Sequence, residues 1–164
     1  MKYLKLFESW NPVSDEELAS AQELREIGVV SSQELEDLVT LKQAQHQILN
    51  FKGFGNLDLS FCNLLTGLPA GLRVDGFLNL NYCTDLRSLP AGLVVGDYLY
   101  LYDCTSLQSL PVGLIVDGDL DLTGCTSLES LPAGLEVGGN LYLTDCDQLK
   151  RLPADLKVGG NIYR

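Results

Sequence analysis

Five of the six prolines stand at 69, 90, 111, 132 and 153, and all five cysteines stand at 62, 83, 104, 125 and 146. Both series advance by a constant 21 residues. Leucine precedes each of these prolines, a second leucine follows each at a fixed offset, and valine recurs at 74, 95, 116, 137 and 158. The shared pattern reads L-P-x-G-L-x-V-x-G-x-L-x-L-x-x-C-x-x-L-x-x, with Asp155 in place of glycine in the last copy. So many aligned columns define a repeat array in which each copy is one structural unit stacked on the next. Cysteine, proline and glycine are therefore one feature of this chain rather than three.

Within each copy, L-x-L sends both leucines to one side of an extended strand and the residue between them to the other. Each coil then adds one short strand to a parallel sheet. Six rungs at about 4.8 Å give a solenoid about 25 Å long. Proline after the inward leucine excludes helix there, and glycine permits the sharp bends that close a coil. A 21-residue coil leaves no room for a full helix behind the sheet, so the convex side is expected to be extended or 3₁₀-like.

Leu57-Asp58-Leu59-Ser60-Phe61-Cys62-Asn63-Leu64-Leu65-Thr66-Gly67-Leu68-Pro69 resembles the leucine-rich repeat pattern L-x-L-x-x-N/C-x-x-L-x-x-L-P. It recurs from Leu78, Leu99, Leu120 and Leu141, and a truncated copy begins at Ile162. Repeats carrying L-P-x-G-L and V-G-G-x-L-x-L are similar to leucine-rich repeats of bacterial and viral proteins, phage included. The usual first leucine is glycine or polar here, with valine one position earlier. The resemblance implies an α/β-type repeat solenoid with a parallel sheet on one face and a helical cap. It also implies a non-enzymatic role in protein recognition.

Residues 1–50 lack the repeat and are expected to form that cap, with 51–164 as the solenoid. Ser14-Asp15-Glu16-Glu17 and Ser31-Ser32-Gln33-Glu34 are capping-box patterns, each followed by spaced apolar residues. They predict helices over about 14–27 and 32–49, joined through Val29-Val30. The bare end of a solenoid exposes its core, which such helices can cover. Trp10 favours packing of the first eleven residues on them.

The formal charge is −11, with 4 basic and 9 acidic residues in 1–50 and 7 basic and 13 acidic in 51–164. A chain this acidic repels phosphate backbones, which argues against nucleic acid as a partner. No stretch reaches the roughly 20 apolar residues that span a bilayer, and Met1-Lys2-Tyr3-Leu4-Lys5-Leu6 lacks the features of a secretory leader. The expectation is a cytoplasmic protein without a membrane partner.

Residues capable of chemistry assemble into no active site. Cys62, Cys83, Cys104, Cys125 and Cys146 recur at identical positions on stacked coils. Their side chains run parallel and cannot converge on one tetrahedral metal centre, so they read as a buried structural ladder. Asp117-Gly118-Asp119-Leu120-Asp121 lacks the glycine and glutamate that a calcium loop requires at its sixth and twelfth positions. His46, the single histidine, falls in the cap. Gly138-Gly139 and Gly159-Gly160 precede strands rather than helices, so they form no phosphate cradle. No catalytic residue, metal or cofactor is expected.

What remains is the outward side of the sheet. Three rows run across it: Asn56, Phe77, Tyr98, Asp119, Asn140, Asn161; then Asp58, Asn79, Tyr100, Asp121, Tyr142, Tyr163; then Ser60, Asn81, Tyr102, Thr123, Thr144. Phe77, Tyr98, Tyr100, Tyr102, Asp119, Asp121, Tyr142 and Tyr163 are the candidate partner-binding residues. Tyrosine offers a large contact area at low entropic cost together with a polar tip. Val94, Ile115 and Val112 form a smaller apolar patch on the opposite side. The alternative readings are a self-assembling, phage-type structural component that pairs end to end through Ile162-Tyr163-Arg164, and, less favoured, carbohydrate binding by the aromatics.

Overall fold

The computed structural model describes residues 13–26, 28 and 30–164. Trp10, the first eleven residues and Val29 of the linker lie outside the described residues. Helix α1 spans Asp15–Glu26 and α2 spans Ser32–Asn50. A parallel β-solenoid of about five turns follows. Its strands are two residues each: β1 Leu57–Asp58, β2 Arg73–Val74, β3 Leu78–Asn79, β4 Val94–Val95, β5 Leu99–Tyr100 and β6 Ile115–Val116. They continue with β7 Leu120–Asp121, β8 Glu136–Val137, β9 Leu141–Tyr142, β10 Lys157–Val158 and β11 Ile162–Tyr163.

Odd-numbered strands form a six-stranded parallel sheet in the order β1-β3-β5-β7-β9-β11, and even-numbered strands form a five-stranded sheet, β10-β8-β6-β4-β2. In both, every residue pairs with its own repeat position on the next coil, as in Leu78↔Leu99 and Val95↔Val116. The side for which the sequence predicts extended or 3₁₀ backbone is thus a second parallel sheet. The β-branched pairs Val94–Val95 and Ile115–Val116 suit that conformation. Successive coils bond through it, with the Gly96 N–H donating to the Val74 carbonyl at 2.8 Å. Isolated parallel bridges Ser88↔Ser109 and Ser109↔Ser130 add a third line of contact.

All inward positions meet in one core. In the second coil Leu78, Leu80, Cys83, Leu86, Leu93 and Val95 are fully buried, and Leu89 nearly so. At one end of the stack, Ala44 and Ile48 of α2 join this core, with Leu41 and Phe51 packed partly against it. The Asn63 side-chain amide donates to Asp37 of α2 at 3.3 Å, tying the helix to the first coil. Both predicted capping boxes are formed. The Glu17 N–H donates to Ser14 Oγ at 3.0 Å and the Ser14 N–H to Glu17 Oε2 at 2.8 Å, and Ser31 and Glu34 repeat the exchange. Helix α1 buries no side chain and is held to α2 by the Asp15–Lys42 ion pair.

Some positions are restricted to glycine, for two separate reasons. A Cβ at Gly138 would lie 2.0 Å from the Asp117 carbonyl oxygen of the preceding coil. Gly113 has open space around it but a φ of +76°. The two variants should therefore separate crowding from strain. Gly138→Ala is expected to cost about 1–3 kcal/mol by overpacking, and Gly113→Ala about 1–2 kcal/mol by left-handed strain. Leu120→Ala, a pure core deletion, should cost about 2–5 kcal/mol. Urea denaturation midpoints rank all three. Equal stability of Gly138→Ala and wild type would show that adjacent coils are not in close contact there.

Candidate binding face

The strand register brings the predicted outward residues together. Asp58, Asn79, Tyr100, Asp121, Tyr142 and Tyr163 are successive partners across the six-stranded sheet. The leucine before each of the first five is buried, whereas Asn79, Tyr100, Asp121 and Tyr142 are half-buried and Asp58 is exposed. Stacking groups the rings. Tyr98 and Tyr100 lie 5.7 Å apart between centroids with planes 24° from parallel, and Phe77 meets Tyr100 edge-on at 6.1 Å. Further along, Tyr142 and Tyr163 stack at 4.9 Å and 9°.

Tyr102 belongs elsewhere. It meets Tyr82 edge-on at 5.3 Å, and Tyr82 stacks on Phe61 at 4.8 Å. Alternation along the strand does not point to Phe61 and Tyr82, because they follow the strand instead of lying in it. The structure gives them, Asp103 and Asp145 positive φ values of 55–61°, and Gly124 at the same repeat position has φ 75°. This left-handed corner turns the chain after L-x-L, and there Phe61 and Tyr82 stack on one another with Tyr82 against Tyr102 of the outward rows. The sequence signal was present in the 21-residue step of Phe61, Tyr82, Asp103, Gly124 and Asp145. Period-two alternation cannot read it, since the corner breaks that period.

The face is acidic. None of the outward positions in its three rows is lysine or arginine. Partial burial raises the Tyr100 phenol above its ordinary value, and Tyr98 and the charges of Asp97, Asp119 and Asp121 raise it further. Asp103 does the same to Tyr102, followed by Tyr82. Burial raises Tyr142, with Asp119 next in weight. A ladder of side-chain acceptors crosses the rungs: Asn56 Oδ1 takes the Phe77 N–H at 3.1 Å, Asp119 Oδ1 the Asn140 N–H at 2.7 Å, and Asn140 Oδ1 the Asn161 N–H at 2.9 Å. Phe77 and Tyr98 interrupt this ladder, trading two acceptors for the rings of the aromatic cluster.

The other singled-out residues lie away from this face. Cys83, Cys104, Cys125 and Cys146 each donate Sγ–H to the carbonyl of the second L-x-L leucine of the preceding coil, at 3.1–3.2 Å. All five cysteines are free and buried. Among the described residues, no group of three histidine, cysteine or acidic side chains is placed to hold a metal ion. His46 is on α2, within 3.0 Å of the Asn50 side-chain nitrogen. Val94 and Ile115 are adjacent on the second sheet, and Val112 is largely exposed. No helix among the described residues is long and apolar enough to cross a membrane.

Comparison with protein-family models, with curated proteins and with solved structures returns no match for this chain.

Burial pushes the Cys62 and Cys146 thiols up to about 11 and the Cys104 thiol up to about 12, and it raises Cys83 and Cys125 as well. The thiols are therefore protonated donors at neutral pH and poor nucleophiles. A disulfide-forming reagent should modify none of the five in the native protein and all of them after unfolding. Folded values above unfolded ones also fix the pH response. The thiol contribution to stability is complete below the ordinary thiol value of 9.0 and is withdrawn as pH rises through about 11 to 12. Denaturation midpoints should be level from pH 6 to 8 and fall above 9, less steeply in Cys104→Ala.

Proposed function

We propose that the chain is a non-enzymatic protein-interaction module of the leucine-rich repeat kind, binding a protein partner through the outward face of its six-stranded sheet. The observation that carries this reading is the clustering of exposed and half-buried rings on that face. Phe77, Tyr98 and Tyr100 form one group, Phe61, Tyr82 and Tyr102 a second, and Tyr142 with Tyr163 a third. Aromatic pairs across rungs contribute about 0.5–1.5 kcal/mol to sheet stability. That benefit alone does not account for Phe61 and Tyr82, since a bulky residue at positive φ is strained by an amount of similar size. Rings held in such a conformation at a surface fit a recognition role.

The regular 21-residue coil and its L-x-L strand agree with the leucine-rich repeat resemblance. Proline-led coils of this length present a rigid surface, which spares a binding site the cost of ordering on contact. The acidic surround favours a basic or amphipathic partner surface.

Affinity capture from the native host, run in parallel with wild type and Tyr100→Ala, identifies the partner. Titration then measures the contribution of single rings. Tyr100→Ala and Tyr142→Ala should each weaken binding by about tenfold or more, while lowering stability by no more than about 1.5 kcal/mol. Unchanged affinity in both variants would rule out this face.

A further inference from the structure

Tyr100, Asp121 and Tyr142 are consecutive partners in the six-stranded sheet, so a carboxylate stands between two aromatic rings. The two flanking rungs lie about 9–10 Å apart at the backbone. A flat group with van der Waals contacts of about 3.5–4 Å on each side fills most of that width. Other rings hold both side chains in place. Tyr98, two residues before Tyr100 on the same strand, stacks on it and Phe77 of the preceding coil meets its edge, while Tyr163 of the following coil stacks on Tyr142.

The carboxylate is only half engaged. Asp121 Oδ1 accepts the Thr123 N–H at 2.9 Å, and Oδ2 accepts no hydrogen bond among the described residues. Asp119 alongside is tied to Asn140 through both oxygens, at 2.7 and 3.3 Å, and adds its charge to the same surface. No lysine or arginine occupies any outward position of the three rows to neutralise them. The second sheet differs, since there Lys157 meets Glu136 at 2.6 Å.

We infer that the Tyr100–Asp121–Tyr142 slot binds the guanidinium of an arginine side chain on the protein partner, its plane between the two rings and one edge on the Asp121 carboxylate. This rests on the reading of the face as a protein-binding surface. Arginine fits better than lysine because its cation is flat, weakly hydrated and able to stack while donating in its plane. Two ring faces and one carboxylate supply the attraction that a cation needs to leave water. A neutral sugar can stack on tyrosine but gains nothing from the charges of Asp119 and Asp121.

Three capped tripeptides, Gly-Arg-Gly, Gly-Lys-Gly and Gly-citrulline-Gly, are titrated into the whole chain while tyrosine ring resonances are followed by NMR. The arginine peptide should shift the Tyr100 and Tyr142 signals saturably, lysine more weakly, and citrulline, which has the shape without the charge, not at all. Asp121→Asn keeps the Oδ1 acceptor for Thr123 and so should melt like wild type, yet bind the arginine peptide about tenfold more weakly. Equal binding of citrulline and arginine, an unaffected Asp121→Asn, or no response to arginine at millimolar concentration would each overturn the slot. The wider reading fails separately. A captured partner that is insensitive to Tyr100→Ala and Tyr142→Ala removes the face itself. One sensitive to those variants but not to Asp121→Asn removes only the guanidinium.

Discussion

The leucines of one coil are buried only by the coils on either side of it. Everything else in the molecule follows from that dependence. Leu99 and Leu101 are fully buried because Leu78, Leu80, Leu120 and Leu122 lie against them in register. The same register satisfies the backbone, since the Leu80 N–H donates to the Tyr100 carbonyl and the Leu101 N–H to the Asp121 carbonyl. Packing and hydrogen bonding thus select a single offset. A slip by one residue would turn every leucine outward. Cysteine completes the pattern as a small side chain whose thiol reaches the carbonyl of the coil before it.

With the interior repeated so strictly, individuality is confined to the outward positions. Across the rungs Asp58, Asn79, Tyr100, Asp121, Tyr142 and Tyr163 share one backbone environment but not one chemistry. The uniform scaffold converts the order of copies along the chain into an order of side chains in space, 4.8 Å or so per step. That is how a carboxylate comes to stand between two rings that are 42 residues apart in sequence. Burial and the neighbouring Asp119 charge both raise the Tyr142 phenol, and burial, Tyr98 and the charges of Asp97, Asp119 and Asp121 raise that of Tyr100.

Much of this was legible because period and chemistry coincide. Constant steps of proline, cysteine and leucine revealed the coil, and alternation in L-x-L separated inward from outward residues correctly from Leu57 to Tyr142. The capping boxes at Ser14 and Ser31 placed both helices to within a residue of α1 and α2. Local rules failed at the corners. Phe61 and Tyr82 reach the face through a left-handed turn, which a pattern of polar and apolar letters does not encode. The sequence predicts extended or 3₁₀ backbone on the valine side, but its pairing into a sheet depends on neighbouring coils and is no property of a single copy.

The sequence by itself determined the coil, its 21-residue length, its inward residues and the outward rows, because each of these is set by spacing along one strand or turn. Tertiary structure decided what lies next to what. It placed Tyr82 between Phe61 and Tyr102, set Asp121 between Tyr100 and Tyr142 in the sheet, and buried Ala44 and Ile48 of α2 in the solenoid core. Those arrangements arise between coils, where contact depends on stacking rather than on chain order.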